Sequence, residues 1–389
     1  MTQRDRLRIV VLGMMGAYPF AGQAWLFLNW LCGLARLGHD VWYVEDDVLW
    51  PYQREGQSVS DMWAAAVTHV RSCVERIGLG DRWALRFSPD DLAWGRKDEE
   101  IDELYRSCDV LLNVVGTRLR EPQLQSRLRV YVETDPVTHE LMWATGDPFP
   151  PLHFSEHHVI ATYGENYGAP DCGVPLNGVT YVKTRQPVDL EHWQTAWTPD
   201  AGHFTTIGNY RQAGKDVEYG GETYHWSKHH EWQKFIDLPA RTGQTFLLGV
   251  NASHDDVAAL KAKGWQVTSP LEMSRDVFGA YPEFIRGSRA EFTVAKDQNV
   301  RLRSGWFSER DACYLASGKP VVAQDTAFGN ILPTGEGLFA VNDLDEAAAA
   351  VDTINSDYAR HCSAARDIAE EFFQASIVAG RLLQDVGAT

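Results

Sequence analysis

Residues 296–325 read KDQNVRLRSGWFSERDACYLASGKPVVAQD. The stretch begins where a strand over Ala290–Ala295 is expected to end. It then passes through a basic loop, enters a helix over Ser308–Ser317, and turns through Gly318-Lys319-Pro320 into a buried strand, Pro320–Ala323. Strand, helix, turn and strand in that order form a βαβ unit of a parallel sheet. A diphosphate requires cations together with free backbone N–H groups, and here Lys296, Arg301 and Arg303 stand beside Ser304-Gly305 at the approach to a helix. Three cations so close together are ordinarily a solvated loop. Context argues otherwise: the chain has 36 Lys and Arg against 53 Asp and Glu, a net charge of −17, and its sizeable local basic excess falls where a strand gives way to a helix.

The same alternation recurs on both sides of this stretch. Upstream, the strands Arg8–Leu12, Val41–Val44, Val110–Val115 and Val130–Val132 alternate with helices over Gln23–Leu37, Asp61–Ile77 and Asp98–Ser107. Phe149–Pro187 is rich in Pro, Gly and aromatic residues, with one further strand at His158–Thr162. Pro187–Gly202 reads as a linker. Beyond it come strands at His203–Ile207, Thr245–Val250 and Gln266–Thr268. Helices are expected at Tyr224–Ile236, Asp255–Lys263, Tyr281–Arg286, Leu344–Ile354 and Tyr358–Val386. The length of 389 residues suits two domains at ~100–200 residues each. The expectation is an α/β protein of two Rossmann-like domains facing across a cleft, residues 1–195 and 196–370, with a C-terminal helix, 371–389, crossing back to the first.

Composition narrows the function. A chain this acidic repels a phosphate backbone, so nucleic acid is not an expected partner. No apolar run approaches the ~20 residues of a membrane span, and no signal-peptide pattern opens the sequence, so a cytoplasmic protein without an integral membrane segment is expected. The six cysteines, Cys32, Cys73, Cys108, Cys172, Cys313 and Cys362, form no CxxC pair and read as reduced core thiols.

In an open parallel sheet, ligands bind beyond the carboxyl ends of the strands. Gly13, Gly16 and Gly22 occupy the loop after the first strand, where a backbone can approach a ligand closely ahead of a helix N-terminus; the spacing is not GxGxxG. Asp135, in VYVETDPVTHE, follows a strand and precedes a proline that holds it extended, which suits a general base aimed into the cleft. An Asx turn is the structural alternative there. Glu45, Asp46 and Asp47 follow the second strand and read as a solvated acidic loop, and His139 could pair with Asp135. Glu165 and Asn166 end a strand near the same cleft, and Asn209 occupies the analogous place in the second half. In HWSKHHEW, His225 and His229 are spaced i, i+4 without an acidic third ligand, so a helix surface near the cleft, with Lys228, is preferred to a metal site.

These halves, the glycine loop, and GWFSERDACYLASGKPVVAQDT at 305–326 resemble a glycosyltransferase of the GT-B fold. The likeness covers the architecture of most of the chain, and its motif is confined to residues 296–326. The resemblance implies transfer of a sugar from a nucleotide diphosphate sugar to a small-molecule or glycan acceptor, with no cofactor and no metal. It places Lys296 on the diphosphate with Arg303 nearby, and Ser304, Gly305 and Ser308 at the helix mouth. Gln324, Asp325 and Thr326 fall on the donor sugar. The position of the ribose-binding glutamate of many relatives is Cys313 here; Glu309, one turn earlier on the same helix face, could substitute. The paired glutamates of many retaining members are absent. A sugar-nucleotide epimerase of the same fold, or a non-catalytic nucleotide-sugar-binding subunit, are the alternatives.

Overall fold

The computed structural model describes residues 6–46, 51–52, 56–87, 92–114 and 116–388. Eight strands build the first sheet: β1 (Arg8–Leu12), β2 (Asp40–Asp46), β3 (Trp83–Phe87), β4 (Leu92–Trp94), β5 (Val110–Asn113), β6 (Leu128–Glu133), β7 (Val159–Thr162) and β8 (Tyr181–Lys183). Their spatial order is β4-β3-β2-β1-β5-β6-β7-β8, parallel throughout except for the β3–β4 pair. Central strands such as RIVVL are apolar without alternation because helices cover both faces.

The second sheet holds β9 (His203–Asn209), β12 (Thr245–Asn251), β13 (Gln266–Thr268), β14 (Ala290–Thr293), β15 (Val321–Gln324) and β16 (Leu338–Val341). Its order is β13-β12-β9-β14-β15-β16, all parallel. Between β9 and β12 lies an antiparallel hairpin, β10 (Val217–Tyr219) and β11 (Glu222–Tyr224). The helix expected over Tyr224–Ile236 is therefore corrected. Tyr224 closes the hairpin, and the helix is the short His229–Trp232, followed by a 3-10 turn over Gln233–Phe235. Gly220 and Gly221, with φ of 63° and 84°, supply the two left-handed residues of a tight hairpin turn.

The chain crosses between the halves twice, side by side. Val188, in the linker, donates its N–H to Phe373 O at 2.7 Å and accepts from Ala375 N–H at 2.9 Å. The helix expected over Tyr358–Val386 breaks at this point into Tyr358–Ile368, a π turn over Ala369–Phe373, and Ala375–Asp385. The last piece packs on the first helix, Ala21–Arg36. Gly33 permits the approach, since a Cβ there would sit 2.4 Å from the Ala375 carbonyl oxygen. The architecture is thus two parallel α/β halves whose terminal helix returns to the first. All six cysteines are unpaired, and among the described residues no helix is long and apolar enough to cross a membrane.

Candidate active site

The carboxyl ends of β6 and β14 come together where the two halves meet, and two residues singled out from sequence bond there. Lys296, just past β14, donates from Nζ to Oδ2 of Asp135, just past β6. The lysine is 6 % exposed, and its ammonium lies 2.9 Å from the centroid of the Trp226 ring. Burial pushes its pKa down to about 8, against the pull of Asp135. Asp135 Oδ1 is buried without a hydrogen-bond partner, although the side chain as a whole is 37 % exposed. Lys215 lies 4.4 Å from the same Trp226 ring, and Lys228 lies 5.3 Å from the ring of Trp306. Burial, with Arg310 nearby, pushes Lys228 down to about 7. A cationic cluster has formed on a strongly acidic chain.

The wall of this site is built by the loop between the strand and the helix Glu309–Ala316. The short helix Asp297–Arg301 packs under residues 135–138, with Gln298 Nε2 donating to Thr138 Oγ1 at 2.8 Å. Trp306 reaches across to donate its indole N–H to Thr134 O at 3.1 Å. Asn166 donates its backbone N–H to Ser304 O at 3.0 Å and its side chain to Arg303 O at 2.9 Å. The expectation that Ser304 and Gly305 offer free amides is overturned. Ser304 N–H goes to Asn299 O and Gly305 N–H to Thr326 O, so both hold the loop rather than a ligand. Arg303 is paired with Asp171 at 2.9 Å and Asp325 at 3.6 Å.

Other expected residues take different places. Gln324 is buried, its amide donating to Glu231, and Thr326 donates to Trp306 O, so both are held by the protein itself. Ser308 caps the helix Glu309–Ala316 by position without a side-chain bond, and lines a small cavity with Asp311 and Gln324. Asp325 forms an Asx turn by accepting from Ala327 N–H. Glu309 bonds Asn29 of the first half at 3.1 Å, and burial raises its pKa to about 8. Asn209 stands exposed at the end of β9. Glu165 is corrected from cleft to support, because Arg185 binds it at 2.6 Å while lying over Phe372 and Phe373 at the chain crossing.

The acidic loop after β2 is also corrected. Glu45 is buried and accepts from the N–H groups of Gly16 and Ala17, at 2.6 and 3.2 Å, and from Tyr43 OH. Asp46 is buried with Arg86, Arg120, Tyr105 and Gln123 around it. Asp47 lies outside the described residues. Gly13 abuts the Tyr43 ring, Gly16 faces Leu85 and Val70, and Gly22 faces Tyr281 of the second half. His139 Nδ1 faces Glu133, 3.8 Å from its Oε1. His225 precedes rather than shares the helix of His229, and its ring stacks on His230 at 3.9 Å. Trp226, between the histidines that first drew notice, and Arg310 were missed. Arg310 crosses the strand ends to bind Glu291, Thr293 Oγ1 at 2.8 Å and Ile207 O at 2.7 Å. Among the described residues, the group able to converge on a metal is Cys32, Asp189 and His192, but Asp189 already holds Arg36 at 2.8 Å.

Two parallel α/β halves whose strand ends meet, with a final helix returning to the first half, have the GT-B architecture. An alpha-glucosyltransferase solved with UDP and a 13-mer DNA matches over 98% of this chain and 100% of its own, with TM-score 0.60 and 12% identity. HepE from Anabaena, solved with UDP and glucose, matches over 99% and 100% with TM-score 0.58 and 13% identity. A glycosyltransferase involved in avilamycin A biosynthesis matches over 98% and 97% with TM-score 0.55 and 13% identity. No family model and no curated protein sequence matches the chain.

Proposed function

We propose that the chain is a glycosyltransferase that moves a sugar from a nucleotide diphosphate sugar to a small-molecule or glycan acceptor. The observation that carries this reading is Lys296, buried at a strand end against Trp226 and bonded to Asp135 of the opposite half. The acceptor oxygen bonds the anomeric carbon as the bond from that carbon to the phosphate oxygen breaks. The electron pair leaves on the diphosphate, whose charge Lys296 and Lys228 offset, and the hydroxyl proton passes to Asp135. These cations belong to the protein, so we assign no metal ion and no cofactor.

We assign donor binding to residues 196–370 and acceptor binding to 1–195. A cavity of about 470 Å³, lined by Gly16, Pro19, Tyr52, Met62 and His69 with Arg275 from the second half, lies beside the glycine loop and suits a small ligand. The alpha-glucosyltransferase named above is solved with DNA in several complexes. For this chain we favour a different acceptor, because a net charge of −17 opposes a nucleic-acid backbone. The neighbours described above favour transfer over epimerisation or passive binding. Six unpaired thiols suit a cytoplasmic location.

A thermal-shift screen against nucleotide diphosphates and their sugars should identify the donor, since a ligand that binds only the folded state raises its stability. With that donor, Lys296→Ala should weaken binding at least ~10-fold in titration calorimetry, consistent with loss of a charge-assisted contact worth ~1.5–3 kcal/mol. Asp135→Asn should lower turnover by ~10² to 10⁴. Unchanged donor affinity in the first variant would remove the diphosphate site, and unchanged turnover in the second would remove the base.

A further inference from the structure

We propose that Asp135 is a built-in competitor for the donor: its carboxylate occupies the cation that the diphosphate must use, and donor binding releases it to act as the base. The inference rests on the reading of Lys296 as a diphosphate ligand.

Lys296 and Asp135 come from opposite halves, and the pair they form is the one carboxylate contact of Lys296 among the described residues. A buried ammonium stripped of its counter-ion is strongly unfavourable, so Asp135 leaves most readily when another anion takes its place. A diphosphate is such an anion, with more charge and more acceptor oxygens than a carboxylate. The two partners are unequally held. Lys296 is nearly inaccessible and lies over Trp226, whereas Asp135 is about one-third exposed and its Oδ1 has no bond to break. The exchange therefore moves the aspartate and leaves the lysine.

Release also changes what Asp135 can bond. While Asp135 Oδ2 accepts from Lys296 it is engaged and cannot accept from an acceptor hydroxyl. Once the diphosphate has taken Lys296, Oδ2 is free to accept the proton of the acceptor hydroxyl. The base is thus withheld until a donor is present, and binding follows the order donor, then acceptor.

Inorganic pyrophosphate, which needs no matching nucleobase, probes the cation directly. Titration calorimetry on the full chain would compare wild type, Asp135→Asn, Asp135→Ser and Lys296→Ala, each first confirmed folded by its thermal transition. Both aspartate variants should bind pyrophosphate about 3-fold more tightly than wild type or better, the scale of one partly exposed ion pair. Lys296→Ala should bind at least ~10-fold more weakly. If Lys296→Ala weakens binding while both aspartate variants match wild type or bind more weakly, competition is overturned and the donor site stands. If Lys296→Ala binds as wild type does, the donor reading itself falls, and the inference with it. Absence of pyrophosphate binding in all four proteins also overturns the inference.

Discussion

Gly305 shows how a single missing side chain holds the two halves together. Its φ is +80°, and a Cβ would lie 2.4 Å from the backbone nitrogen of Asn166 in the opposite half. Gly305→Ala combines a left-handed strain of ~1–3 kcal/mol with a steric conflict against backbone, so a clearly lowered thermal midpoint and reduced turnover are expected from calorimetry and assay. The sequence reads Gly305 as part of a helix mouth that would face a diphosphate, and its place between a strand and a helix was legible. What it approaches was not, because a ligand and a distant peptide group demand the same absent Cβ. Glu45 hid for a related reason. An acidic run after a strand reads as solvated until the unpaired amides of Gly16 and Ala17, far upstream, are seen to need an acceptor. Asp135 and Lys296 were legible because each follows a strand, and strand ends converge in a parallel sheet.

At the scale of elements, the hairpin and the terminal helix tie the halves to each other. Val217 and Tyr224 of the hairpin pack with Leu302 against Val137, Leu141 and Tyr167 of the first half. The turn Tyr219-Gly220-Gly221-Glu222 is itself a hairpin signal, obscured in the sequence by the helix-like spacing of the aromatic residues and histidines that follow. The break at Gln374 carried no proline or glycine to mark it; it exists because Val188 offers both of its backbone groups there, a partner invisible to local pattern. Truncation after Phe373 would remove the helix Ala375–Asp385 and uncover apolar surface of Ala21–Arg36, with Val378, Ala379, Leu382 and Leu383 lost from the core. The truncated chain is expected to be insoluble or to unfold well below the intact protein in circular dichroism. Full activity of a well-folded truncated chain would contradict this role.

Over the whole molecule, a net charge of −17 surrounds one crevice in which Lys296, Lys228 and Lys215 gather. Burial depresses Lys228 to about 7 and Lys296 to about 8, so the pocket loses positive charge within an accessible pH range. Each proton lost removes attraction for an anion. Nucleotide diphosphate affinity should therefore fall progressively between pH 6.5 and 9, in dissociation constants measured across that range at fixed ionic strength. A flat profile would mean that neither lysine contacts the phosphates. The paired crossings at Val188 and Gln374 add a mechanical consequence. Two polypeptide segments laid side by side and hydrogen-bonded to each other act as the spine of a book: the covers can swing, while sliding and twisting past one another are resisted. The distance between two labels on the opposing covers should then report one angular coordinate, shared by every ligand that enters.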